Sequence, residues 1–300
     1  MEPGEQVRRM RPMRERVRRD DAAWWANAFL KGLERVVSTP PESFRARRLD
    51  AARTEALVRE HAAASRRLLL LDYDGTLVPF APLPHLARPD EALRGLLARL
   101  CADARNVVVL ISGRDRGTLG GWLGDLPLQL VAEHGAWLRP AGGQWALLKP
   151  LDGAWKETIR PLMRMYADRL PGSLVEEKDY SLAWHYRGAE PELAMDRAKE
   201  LVDDLVHYTA NFDVQVLEGK KVVEIRNAGV NKGAAALELI HAKAPEFILA
   251  VGDDQTDEDV FRALPRGAAT IRGGTLFSRA RNSLEDPAAV RALLEKLAAA

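Results

Sequence analysis

The sequence predicts an α/β fold, a parallel β-sheet covered by helices on both faces. Three observations carry this expectation. Short apolar runs recur without alternation: Leu68-Leu69-Leu70-Leu71, Val107-Val108-Val109-Leu110-Ile111, residues 128–131, and Phe247-Ile248-Leu249-Ala250-Val251. Strands buried on both faces read this way, because neither side of the sheet meets water. Helical patterns such as 90–102 and 232–243 separate the runs, the order that a helix-covered sheet requires. The stretch 150–227 has another texture, with strands that alternate more and carry more charge, as in a sheet with one solvated face.

Residues 1–40 are basic and then Ala/Trp-rich, with Trp24, Trp25, Phe29, Leu30 and Leu33 at helical spacing. Thr39-Pro40-Pro41 ends that helix, since proline lacks the donor and pushes its predecessor out of helical geometry. Residues 42–64 read as a second helix, so 1–64 is expected to be a helical N-terminal extension. The core then runs over 65–149 and 228–300. Between them, 150–227 is expected to fold as an inserted α+β cap: helix 153–169, strands 173–177 and 181–187, helix 191–208, strands 213–217 and 221–226.

The chain has 300 residues, 47% of them hydrophobic and 29% charged. Forty-four Lys+Arg against forty-three Asp+Glu leave a net charge of +1, so global charge argues for neither a nucleic-acid nor a membrane partner. No window approaches the ~18 apolar residues of a bilayer span. The Arg-rich start (Arg8, Arg9, Arg11, Arg14) is followed by no apolar h-region, unlike a secretory signal. The lone Cys101 excludes an intrachain disulfide and any multi-cysteine metal site, and it fits a cytoplasmic setting.

Chemistry gathers where the apolar strands end. Strand 68–71 runs into Asp72-Tyr73-Asp74-Gly75-Thr76, strand 107–111 into Ser112-Gly113-Arg114, and strand 247–251 into Gly252-Asp253-Asp254-Gln255-Thr256-Asp257. In open α/β sheets the carboxyl ends of the strands face the ligand crevice, so three distant segments converge. Crowded carboxylates repel one another unless a cation sits among them, and a hard ion such as Mg²⁺ suits oxygen ligands. Asp72 is positioned to act as nucleophile, with Asp74 as general acid and then base. Gly75 lets the chain turn, and Thr76 can fix the loop by hydrogen bonding. Lys232, in Asn231-Lys232-Gly233 at a helix start, can offset charge on a transferring group.

These elements resemble the motifs of the haloacid dehalogenase-like phosphohydrolase superfamily, and within it the trehalose-6-phosphate phosphatase family. The sharper likeness rests on Glu133-His134-Gly135, Glu176-Glu177-Lys178, His185-Tyr186-Arg187, Gly219-Lys220-Lys221 through Glu224-Ile225-Arg226, and Asp253-Asp254-Gln255-Thr256-Asp257-Glu258. The resemblance implies a Rossmann-like core with a mobile cap and a phosphoaspartate at Asp72. It implies Mg²⁺ held by Asp72, the Asp74 backbone carbonyl and Asp253, phosphate binding by Ser112 and Lys232, and Asp257 steadying Lys232. It assigns substrate contacts to Arg114, Glu133, His134, Glu176, Lys178, Arg187, Lys220, Glu224, Arg226 and Asn231, with trehalose 6-phosphate as substrate.

Residues 7–33 resemble the last helices of trehalose-6-phosphate synthase, which implies a synthase domain or subunit as partner. Two other readings stand beside the leading one. The first is another cap-bearing sugar phosphatase, of the sucrose-phosphate or mannosylglycerate-phosphate type. The second is a regulatory domain that binds trehalose 6-phosphate without turnover; its mark would be loss of Asp72 or Asp74, and both are present.

Overall fold

The computed structural model describes residues 45–300 except Pro82, Lys220, Thr275 and Leu276. The arginine run, the aromatic stripe of 24–33 and Lys220 therefore lie outside the described residues. The chain passes through β1 (Arg47–Arg48), α1 (Ala51–Ala63), β2 (Arg67–Leu71), α2 (Glu91–Ala102), β3 (Asn106–Ile111), α3 (Arg116–Leu123) and β4 (Gln129–Ala132). Two short strands follow, β5 (Trp137–Arg139) and β6 (Ala146–Leu147). The insert comprises α4 (Trp155–Arg169), β7 (Leu174–Glu177), β8 (Ser181–His185), α5 (Pro191–Tyr208), β9 (Val214–Gly219) and β10 (Val222–Asn227). The chain then resumes the core with α6 (Lys232–Lys243), β11 (Phe247–Gly252), α7 (Asp257–Ala263), β12 (Ala269–Gly273), β13 (Asn282–Leu284) and α8 (Pro287–Ala298).

The core sheet has the order β1-β13-β12-β11-β2-β3-β4-β5-β6. Pairing is parallel from β1 through β4, while β5 and β6 form an antiparallel edge that the apolar runs did not announce. Alternate residues of the central strands feed two cores. Leu69, Leu71, Val108, Leu110, Leu249 and Val251 pack beneath α2 and α8, and Leu68, Leu70, Val109, Ile111, Ile248 and Ala250 beneath α6 and α7. Both faces are covered, which is why these strands lack polar alternation. Aspartates start the surrounding helices: Asp90, Asp115 and Asp286 each accept a backbone N–H of the first turn.

Residues 45–64 depart from the expected helical extension. β1 joins the core sheet beside β13, and α1 spans only Ala51–Ala63. Asp50 caps that helix, and Leu57 enters the main core. The buried Arg67 ties its end down, donating to the carbonyls of Ala62 (3.0 Å) and Ala64 (2.9 Å) and pairing with Asp103 (3.0 Å). A helix carrying core leucine and covering a buried arginine belongs to the core, a tertiary fact with no local periodicity.

The insert has its own four-stranded antiparallel sheet, β7-β8-β10-β9. One face, with Leu182, Trp184, Val223 and Ile225, packs on α4 and α5. The strand expected over 181–187 ends at His185, and Arg187 lies exposed beyond it. The two chain crossings between core and cap are bound to each other. Lys149 Nζ donates to the Ala228 carbonyl (2.9 Å), Asn227 Nδ2 to the Asp152 carbonyl (2.8 Å), and Trp155 Nε1 to Asn227 Oδ1 (3.3 Å).

His61 sits fully buried, its Nε2 3.1 Å from Asn106 Oδ1. Burial, and then the nearby Arg67, push its pKa down to about 4. The unfolded chain therefore binds this proton first, and stability attributable to neutral His61 is present above pH 6.5 and lost as pH falls toward 4. His61→Gln should flatten that dependence. Urea denaturation of both proteins between pH 7 and 4 should show the wild type losing up to about 3 kcal/mol more than the variant; parallel losses would contradict it.

Candidate active site

Register brings the catalytic candidates together. Leu71 of β2 lies opposite Val251 of β11 and Leu110 of β3, so Asp72, Ser112 and Asp253 leave the sheet at neighbouring points. Tyr73 Oη donates to the Ala87 carbonyl (2.7 Å) and anchors the loop after β2. Gly75 turns that loop at φ +83°, and a Cβ there would collide with the Asp253 carboxylate. Only glycine supplies both the conformation and the space.

The start of α6 supplies the counter-charge. Asn231 caps the helix, its Oδ1 accepting from Ala234 N (2.8 Å), and Lys232 points into the core, 2% exposed. Lys232 Nζ donates to Asp72 Oδ1 (2.6 Å) and Asp257 Oδ1 (2.8 Å). Asp257 Oδ2 accepts from the backbone N–H groups of Asp253 (2.9 Å) and Asp254 (3.0 Å). Thr76 Oγ1 lies 2.9 Å from Asp72 Oδ2 and 3.1 Å from Asp253 Oδ1.

One ammonium does not satisfy so many carboxylates. Burial, with the charges of Asp254 and Asp253 added, outweighs Lys232 and pushes Asp72 up to about 7. Burial and the charges of Asp254 and Asp257 push Asp253 up to about 6. Burial opposes the charge on Lys232, but Asp257 and Asp72 overcome it and hold the ammonium firmly protonated. Carboxylate oxygens of Asp72, Asp253 and Asp257 come within 4.8 Å of one another. Asp257 accepts from Lys232 and from two backbone N–H groups, whereas Asp72 accepts from Lys232 and Thr76 and Asp253 from Thr76 alone, which leaves Asp72 and Asp253 more lone pairs to ligate. A hard divalent cation fits this donor set and its surplus negative charge.

Asp74 is held elsewhere. Arg114 grips it with both arms of its guanidinium, Nε to Oδ2 (2.7 Å) and Nη2 to Oδ1 (2.6 Å), and stacks over Trp122 at 4.5 Å. Arg114, expected among the substrate contacts, thus spends its fork on the second aspartate of Asp72-Tyr73-Asp74. Ser112 is buried, and its Oγ accepts from Arg114 N (3.2 Å), leaving its own proton uncommitted in that bond.

The cap turns a polar face to these residues, where the sequence suggested solvent. Glu176 on β7 and Glu224 on β10 both pair across with Ala183 on β8, so the two carboxylates flank one small residue in a single row. Glu176 Oε2 meets His185 Nε2 (2.8 Å) and Lys178 Nζ (3.5 Å). Burial would raise Glu176, but His185 and Lys178 outweigh it and hold it at about 2. Glu224 Oε2 faces His134 Nε2 (3.4 Å). Among the described residues, Glu224 Oε1, His134 Nδ1, Arg226 Nε and Nη1, and Ser181 Oγ are buried without a hydrogen-bond partner.

Three further expected substrate contacts are placed differently. Glu133 gives both oxygens to the cap backbone, accepting from Asp179 N (3.2 Å) and Tyr180 N (2.9 Å). Asn231 uses its side-chain oxygen as a helix cap. Arg187 is exposed past β8. Two residues that sequence reasoning left unassigned matter here. Ser181 lies on the polar cap face, two residues before Ala183, a position that strand alternation could have shown. Asp254 Oδ1 accepts from Thr256 N (2.8 Å) and Thr256 Oγ1 (2.6 Å) and shapes the turn into α7.

A family model described as Trehalose-phosphatase matches residues 70–283. A Thermoproteus tenax protein named bifunctional trehalose-6-phosphate synthase/phosphatase is 43% identical over 298 residues, 99% of this chain and 41% of its own length. The chain spans less than half the length of the curated relatives it matches first. The C-terminal domain of C. albicans trehalose-6-phosphate phosphatase superposes with a TM-score of 0.79 at 31% identity, covering 85% of this chain and 99% of that one. A haloacid dehalogenase-like hydrolase from B. subtilis shares the fold at 13% identity, with a TM-score of 0.54 over 76% of this chain and 98% of its own.

Lys232→Met should leave Asp72 and Asp257 buried without their cation. Removing one partner of a buried ion pair costs about 3–5 kcal/mol. Chemical denaturation should show a loss of that order, partly restored by Asp72→Asn in the same chain. A loss below about 1 kcal/mol would mean the carboxylates are already neutral in the wild type.

Proposed function

Because this chain belongs to the trehalose-phosphatase family, we propose that it hydrolyses trehalose 6-phosphate to trehalose and phosphate. The observation that carries the reading is a buried Asp72–Lys232–Asp257 cluster beneath a cap face whose buried polar atoms lack partners. Such atoms are costly unless a ligand or water completes them. A disaccharide, rich in hydroxyls, supplies both donors and acceptors.

In the proposed reaction the Asp72 carboxylate attacks phosphorus, and the bond from phosphorus to the sugar oxygen breaks. Asp74 gives a proton to that departing oxygen. A water then attacks the aspartyl phosphate at phosphorus, Asp74 takes its proton, and Asp72 is released as a carboxylate with free phosphate. Asp74 must first leave the fork of Arg114 to reach the leaving oxygen. Lys232 and Ser112 would hold phosphoryl oxygens, and Asp257 would keep Lys232 in place. Mg²⁺, held by Asp72, Asp253 and the Asp74 carbonyl, would neutralise charge on the phosphoryl group. Glu176, Lys178, Glu224 and Arg226 would read the sugar.

The high identity to a bifunctional synthase/phosphatase over 99% of this chain supports a trehalose-6-phosphate synthase domain or subunit as partner, the source of the substrate. Among the described residues no helix is long and apolar enough to cross a membrane. A cytoplasmic place belongs to the same proposal, supported by a sequence that holds one cysteine, Cys101.

Phosphate release from trehalose 6-phosphate should require Mg²⁺ and stop in excess chelator; full activity in chelator would remove the metal from the mechanism. Asp72→Asn should lose several orders of magnitude in turnover while still folding. Glu176→Ala and Glu224→Ala should lose about 100-fold in kcat/KM on trehalose 6-phosphate, with far smaller losses on p-nitrophenyl phosphate. A panel including sucrose 6-phosphate distinguishes the alternative sugar phosphatases, and equal rates across it would refute disaccharide reading by the cap.

A further inference from the structure

Glu133 and His134 occupy a place that the proposed chemistry leaves unused. Both hold the left-handed backbone region, at φ +48° and +57°, which non-glycine residues adopt only when their surroundings compel it. Their backbones are bonded to the phosphate loop: Glu133 N donates to the Arg114 carbonyl (2.9 Å) and His134 N to the Ser112 carbonyl (3.0 Å). Gly113 lies so close beneath the His134 ring that a Cβ there would collide with it. The Glu133 side chain points the other way, into the cap, and the His134 ring lies between Gly113 and the cap. Glu133 accepts from Asp179 N and Tyr180 N in the turn between β7 and β8, and His134 meets Glu224 on β10.

The same seam holds secondary contacts. Arg116 Nε pairs with Asp179 Oδ2 (2.8 Å) and its guanidinium lies 4.1 Å over the Trp137 ring, which faces Tyr180. The contacts of Glu133, Arg116 and Trp137 grip one turn, the residues immediately after Lys178. Backbone N–H groups gathered on one carboxylate fix that turn by charge-assisted bonds, so Glu133 sets where Lys178 stands.

We propose that Glu133, with His134, is a positioning residue that fastens the phosphate loop to the cap's sugar-facing sheet. Resting on the phosphatase reading above, it assigns these two residues to cap seating in place of sugar contact. The strained dipeptide is what lets one element present its backbone to Ser112–Arg114 and its side chains to the cap. Closure of the cap and alignment of the phosphate loop then become one event, and the sugar-reading row is aligned only when both are in place.

Hydrogen exchange and kinetics on the full chain test this. In Glu133→Ala the amides of Asp179 and Tyr180 should exchange at least about tenfold faster, while those of β8 keep wild-type protection. In the same variant kcat/KM for trehalose 6-phosphate should fall about 10- to 100-fold, and at least ten times more than for p-nitrophenyl phosphate. Glu133→Gln, which keeps the shape and one strong acceptor, should fall between the two on both measurements and serves if the alanine variant does not fold. Unchanged exchange at 179–180 with Glu133 removed would overturn the proposal, as would equal losses on both substrates. A wild-type protein inert toward trehalose 6-phosphate would refute the phosphatase reading, and the exchange measurement would still decide the seating role.

Discussion

The buried ammonium of Lys232 is the constraint on which the rest of the molecule depends. It sits 2% exposed between Asp72 and Asp257, in a medium where an unpaired charge is far more costly than in water. Its place at the first turn of α6 ties three chain segments to one point: the end of β2, the start of α6 and the start of α7. Asp257 passes the constraint on through its second oxygen, which fixes the backbone of Asp253 and Asp254. Moving the turn after β11 therefore strips two hydrogen bonds from the carboxylate that holds the lysine.

Around that point the molecule separates reactivity from recognition. The parallel core is apolar on both faces, so its polar groups are confined to strand ends, where the carboxylates meet. The cap is built on the opposite plan, one apolar face against its helices and one polar face toward the core. Ala183 between Glu176 and Glu224 keeps the middle of that row low, leaving room between two carboxylates. Each half sets a lysine among its carboxylates: Lys232 among the aspartates below, where negative charge stays in excess, and Lys178 among the glutamates above.

Much of this was legible in the sequence. Unbroken runs at Leu68–Leu71 and Phe247–Val251 marked the central strands, and the polar residues directly after them marked the site. The cap's order of helix, two strands, helix and two strands followed from texture alone. What stayed hidden depends on partners distant in the chain. Nothing local to Arg114 tells that it will clamp Asp74, 40 residues earlier, and nothing local to Glu133 tells that it will bond the backbone at 179 and 180. The short strands β1, β5 and β6 carry too few residues to show a period. The buried pair of Arg67 and His61, which draws α1 into the core, looks in sequence like solvated charge.

The laced crossings between core and cap have a mechanical consequence. Two separate linkers would leave an inserted domain free to tilt, twist and slide. Here Lys149, Asp152, Trp155 and Asn227 tie the outgoing strand of chain to the returning one, so the pair acts as one pin. Tilting about that pin strains few of these crossing bonds, whereas twisting or sliding must break several of them together. The cap is left with a single easy axis of rotation, as a door has. A cap turning on that axis would bring the Glu176–Ala183–Glu224 row back to the same seat, with little orientational entropy to lose on arrival.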